Sequence, residues 1–232
     1  MKKIIKNTVF TILFLLLITF TALLTYLHFF ASGDKDLSGK WTAKLDMTER
    51  AAVTALSWLR DIEAVSVSLE DMESYMQNLT IEVNLTFEQT TPSEGTFHCT
   101  VLPESYDTCN QAAYEAFAAA FQELLAERLR MADYAGSTDK EAVEALVMET
   151  FGMSTVSYLM SCGPSLLPSL EELQAQYDGS GTYKATEGIL TRQFDTSQPE
   201  ATKTEYYIRK DTKLILSEEI TFDHYPMTYS LQ

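Results

Sequence analysis

The sequence predicts an α+β fold: an antiparallel meander of about eight strands, closed as a barrel or strongly curved, with two helical insertions and one N-terminal transmembrane helix before it. Three observations predict it. Thr8 to Ala31 is a run of 24 residues without a formal charge. Leu79 to Glu88 alternates apolar and polar residues without a break. From Ser105 to Asp178 the apolar residues recur at helical spacing, and beyond Gly181 the alternation returns.

At about 1.5 Å per residue the uncharged run is about 36 Å long, enough for a hydrocarbon core of about 30 Å. Lys2, Lys3 and Lys6 precede it, and Asp34, Lys35 and Asp36 follow. A cleavable signal peptide shares the basic start but has an apolar region of about 7–15 residues. Ala31-Ser32-Gly33 would suit cleavage, so both readings stand, and the length favours a retained anchor. The lysines are then expected on the cytoplasmic side. The expected plan is a cytoplasmic tail (1–7), a membrane anchor (8–31), a linker (32–36) and an extracytoplasmic domain (37–232). Its helical insertions fall at about 47–78 and 105–178. So short a tail excludes a receptor that signals through an intracellular domain of its own. The expected location is the cell membrane, single-pass, with the C-terminal domain outside.

Charge narrows the partners. The chain has 17 Lys+Arg against 33 Asp+Glu, net −16; without the three N-terminal lysines the count is 14 against 33, net −19. Such a surface repels phosphate backbones, so nucleic-acid binding is excluded. With 46% hydrophobic residues, nine Gly and six Pro, the exterior part is globular.

The first strand is expected over Ser38 to Asp46, where Trp41, Ala43 and Leu45 alternate with Lys40, Thr42 and Lys44. Asp46 with Glu49 has capping-box spacing and opens a helix striped by Ala52, Leu56, Leu59 and Ile62. A second helix runs from Ser68 through Met72 to Met76. Strands 79–88 and 95–102 then form a hairpin around Pro92-Ser93-Glu94-Gly95. Tyr114, Phe117, Phe121, Leu124 and Leu125 stripe a long helix ending near Gly136. Thr138 with Glu141 caps the next, which stops at Phe151-Gly152. A short helix covers Ser154 to Ser161, and Ser169 with Glu172 caps a last one. The remaining strands are 181–186, 189–194, 202–209, 213–217 and 219–225, with a final piece around Tyr229. Glu187-Gly188 is a hairpin turn signal.

Leu37-Ser38-Gly39-Lys40-Trp41 resembles the L-x-G-x-W opening of lipocalin-type (calycin) barrels. The closing stretch GTYK…EYYIRKDTKLILSE is similar to the last meander of lipocalin-like exported, membrane-anchored proteins of Gram-positive bacteria. The resemblance covers about 80 residues at the two ends of the exterior chain. It implies structural roles for Gly39 and Trp41, the tryptophan closing the base of the barrel. It also implies an interior able to hold a small apolar ligand, with Ile81, Val83, Leu85, Phe87 and Tyr183 as candidate lining.

Catalytic signatures are sparse. Of three histidines, His28 lies in the apolar run, and His98 and His224 lack partners at metal-ligand spacing. There is no G-x-S-x-G elbow. Cys162-Gly163-Pro164-Ser165 has the outline of a redox motif without its second cysteine. Cys99 and Cys109 are a candidate disulfide, two free thiols being the other reading. No metal, cofactor or enzymatic activity is expected. The expected function is a membrane-anchored, extracytoplasmic binding or accessory module for a small apolar ligand. The alternative is a structural or protein-interaction module of the envelope, with a filled barrel and a helical docking surface.

Overall fold

The computed structural model describes residues 14–24, 36–62, 67–195, 201–221 and 226–232. Residues 14–24 form a helical stretch, α1. The barrel follows: β1 (Gly39–Asp46), β2 (Thr80–Thr91), β3 (Glu94–Val101), β4 (Gly179–Thr186), β5 (Ile189–Phe194), β6 (Thr202–Lys210), β7 (Lys213–Ser217) and β8 (Met227–Leu231). Each strand pairs with the next, and β8 pairs with β1, closing an eight-stranded antiparallel barrel. Between β1 and β2 lie α2 (Thr48–Ile62) and α3 (Leu69–Tyr75). Between β3 and β4 lie α4 (Pro103–Met131), α5 (Lys140–Phe151), α6 (Thr155–Cys162) and α7 (Leu170–Tyr177).

The expected fold class needs correction at its N-terminus. Among the described residues, no helix is long and apolar enough to cross a membrane. The rest of the expected span, 8–13 and 25–31, lies outside the described residues, as do His28 and His224. The last strand is also corrected. Residues 218–221 form bends and a turn, and 222–225 lie outside the described residues. The final strand is Met227–Leu231, because only that segment pairs with both β7 and β1.

Period-2 patterning sets the wall. Trp41 is opposite Leu85, Leu85 opposite Cys99 and Cys99 opposite Gly179, so successive strands turn the same face inward. The connections are divided between the two ends. Tight turns at 92–93, 187–188 and 211–212 lie at the base, while both helical insertions, the ends of β5 and β7 and the starts of β6 and β8 lie at the other end. The helices form a cap there. Met47 N–H donates to the Leu79 carbonyl, extending the β1–β2 pairing up to α2. Leu102 N–H donates to the Glu82 carbonyl, and Glu82 N–H donates to Ser105 Oγ at 2.9 Å, pinning the start of α4 to β2. Asp178, which ends α7, accepts from Val101 N–H at 2.6 Å. Barrel and cap share one continuous core.

Local signals explain the helix ends. Ser169 and Glu172 form a full capping box on α7. The cap of α5 is Asp139 rather than Thr138, its carboxylate accepting from Ala142 N–H at 2.8 Å. Gly152 ends α5 at φ 73°, and Ser154 caps α6. Asp46 accepts from Thr48 N–H at 2.9 Å at the start of α2.

Candidate functional site: barrel interior and helical cap

Ile81, Val83, Leu85, Phe87 and Tyr183 all face inward and are buried. Several of the inward-facing rings touch one another. Phe87 and Tyr183 meet edge to face at 4.8 Å, and Phe97 and Phe194 do so at 5.0 Å. The Arg192 guanidinium lies 5.4 Å from the Phe97 ring centre and 5.7 Å from that of Phe194. Arg192 also pairs with Glu205, Nη2 to Oε2 at 2.6 Å and Nε to Oε2 at 2.9 Å. Both side chains are under 10% exposed, at 7% and 6%. Lys203 reaches in from the rim, 3.3 Å from Glu205 and 2.9 Å from Glu218. Burial alone would lower the Lys203 pKa, but the two carboxylates raise it above its ordinary value. Glu218 is held below the usual carboxylate range by its hydrogen bond from Lys203.

This interior ion pair was not foreseen from the sequence, though the signal was there. Arg192 is in phase with Leu190 and Phe194, and Glu205 with Tyr207, so alternation alone aims both inward.

At the base, Trp41 is fully buried and its Nε1–H donates to the Leu37 carbonyl at 2.8 Å. The Arg209 guanidinium covers the ring at 5.6 Å and donates to the Asp36 carbonyl. Gly39 sits at φ 131°, and a Cβ there would meet Leu231 at 2.7 Å. Tyr183 Oη is buried without a hydrogen-bond partner among the described residues. Burial pushes its pKa up.

The candidate disulfide is corrected. Cys99, Cys109 and Cys162 are all free. Cys99 lies on the inner wall of β3 and Cys109 on the buried face of α4, each thiol pushed up to about 11 by burial. Cys162 is exposed at the C-terminal end of α6, not at a helix N-terminus. His98 stands on the outer wall, its Nδ1 2.8 Å from Ser180 Oγ, beside a shallow hollow of about 340 Å³ that Glu88 and Asp195 also line. Among the described residues, no group of three or more His, Cys, Asp or Glu is gathered that could hold a metal ion.

The cap presents a different surface. Met148, Phe151 and Met160 are each 46% exposed, and Met153 is 37% exposed. Phe151 stacks on Tyr158 at 4.4 Å. A polar knot fixes the three helices behind them. Gln122 of α4 donates to Glu144 of α5 and, at 3.1 Å, to Thr155 Oγ1. Thr155 N–H donates to Glu144 Oε1 at 3.2 Å, and its hydroxyl donates to Oε2. In front of this knot α4, α5 and α6 enclose a groove of about 780 Å³. No family model, curated protein or solved structure matches the chain.

Proposed function

We propose that the chain is a non-enzymatic interaction module whose helical cap docks a partner protein and whose barrel is a rigid platform for that cap. One observation carries this reading: large apolar side chains are exposed on α5 and α6, while the inward-facing rings and ion pair of the barrel contact one another. An exposed cluster of this kind marks interaction surfaces more often than chance exposure. The basic start followed by an uncharged run favours an exported domain as part of the same proposal. The likeness to lipocalin-type barrels belongs to it too, supported by the eight-stranded meander and the buried Trp41.

Native mass spectrometry of the full chain purified from its own host tests the proposal. A protein partner carried through purification is the expected result, and a bound small molecule with no protein partner would overturn it.

One observation favours a second reading, a small ligand inside the barrel. The Tyr183 hydroxyl, buried without a partner among the described residues, offers one polar contact to a mainly apolar molecule. Saturable binding of an apolar fluorescent probe, abolished by Val83→Trp, would support it.

A further inference from the structure

We propose that the groove between α4, α5 and α6 is the docking site for a basic, amphipathic helix of a partner protein. The inference rests on the interaction-module reading and adds the chemistry of the occupant. Ala118 and Ala119 of α4 and Ala145 of α5 line the groove with side chains no longer than a methyl, and Val156 and Met148 complete its apolar part. Small residues let a second helix approach closely; helix axes pack about 8–10 Å apart where the side chains between them allow it. The volume of about 780 Å³ suits several apolar side chains at the i, i+3, i+4, i+7 spacing of one helix face. Met148, exposed and unbranched, can adapt to their shapes.

The rim decides the charge of the occupant. Glu115 and Glu141 border the groove, Glu144 is in its wall, and Lys140 is the single basic residue among the described residues that line it. The surroundings have the same sign: residues 103–178 hold 3 Lys+Arg against 13 Asp+Glu, net −10. This field repels a second copy of the same surface and an anionic lipid headgroup layer, and it attracts a cationic segment. An apolar floor with an acidic rim therefore complements a helix with an apolar stripe flanked by Lys or Arg.

The test titrates the full chain, at 0.15 M salt, with a synthetic Leu/Lys amphipathic helix of about four turns and with its Leu/Glu counterpart. Ala145→Arg fills the groove and Thr182→Arg adds the same charge on the outer wall of β4, where Thr182 is exposed. The groove predicts saturable one-to-one binding of the Leu/Lys peptide only. Ala145→Arg should weaken it at least about tenfold and Thr182→Arg no more than about twofold. Met148→Arg, at an exposed position, repeats the test if Ala145→Arg fails to fold. Equal weakening by the groove and wall variants, or no saturable binding, would overturn the inference, as would a second copy seated in the groove. If the peptide fails while a protein partner is still carried from the host, the groove falls and the interaction reading stands. A small molecule in place of that partner overturns both.

Discussion

Arg192 and Glu205 lie in the barrel wall's interior, where each charge depends on the other for its solvation. Removing one partner of a buried pair costs about 3–5 kcal/mol, whereas apolar replacement of both is often close to neutral. Glu205→Leu should therefore destabilise strongly, and adding Arg192→Met should recover most of the loss in a denaturant titration. Recovery will be incomplete because Lys203 also loses Glu205. Trp41→Ala should cost about 3–5 kcal/mol by opening a large cavity at the base. Trp58→Ala should cost less, since Trp58 is only half-buried against Phe117 and Phe121; equal small losses would reject the role given to Trp41. The thiols add a pH dependence. Cys99 and Cys109 titrate near 11 in the fold against about 8.5 in an unfolded chain, so the unfolded state loses its protons first. The stability they contribute is complete below about pH 8.5 and declines as pH rises toward 11. The urea midpoint should fall between pH 7.5 and 10, and fall less after Cys99→Ala and Cys109→Ala. In the native protein only Cys162 should react quickly with a thiol reagent at pH 8.

At the β4–β5 hairpin, Glu187 and Gly188 both have positive φ, 53° and 78°. This is the backbone a two-residue turn needs to follow the strand twist. Gly188→Ala meets no steric neighbour closer than 3.8 Å, so its cost of about 1 kcal/mol would come from the backbone alone. Glu187→Asn should stabilise by a few tenths to about 1 kcal/mol, because Asn tolerates the left-handed region better. Thermal melts of the two variants should move in opposite directions. Such local rules explain what was legible in the sequence. The 79–101 hairpin was readable because its two faces differ at every step, and α7 because Ser169 and Glu172 satisfy each other. The last strand was not readable, because Ile220 and Tyr229 both lie in alternating segments. Barrel closure chose between them: Tyr229 is buried opposite Ala43, while Ile220 is 70% exposed. The Phe117 and Phe121 stripe announced one buried face of α4. The second, with Ala118, Gln122 and Ala126, could not be seen because it is defined by contacts with α5 and α6.

On the scale of the molecule, every long connection leaves the barrel at one end and every tight turn lies at the other. The base is sealed by Trp41 and Arg209, and the opposite end carries the cap with the exposed methionines and Phe151. That polarity is why the cap, and not the wall, is assigned the docking role. The most direct measurement places a photo-reactive residue at Met153 in the cap or at Lys184 on the exposed barrel wall, in full-length protein expressed in its own host. A discrete protein adduct is expected from Met153 and none from Lys184. Adducts from Lys184 alone, or none from either position while a small molecule accompanies the purified chain, would contradict it.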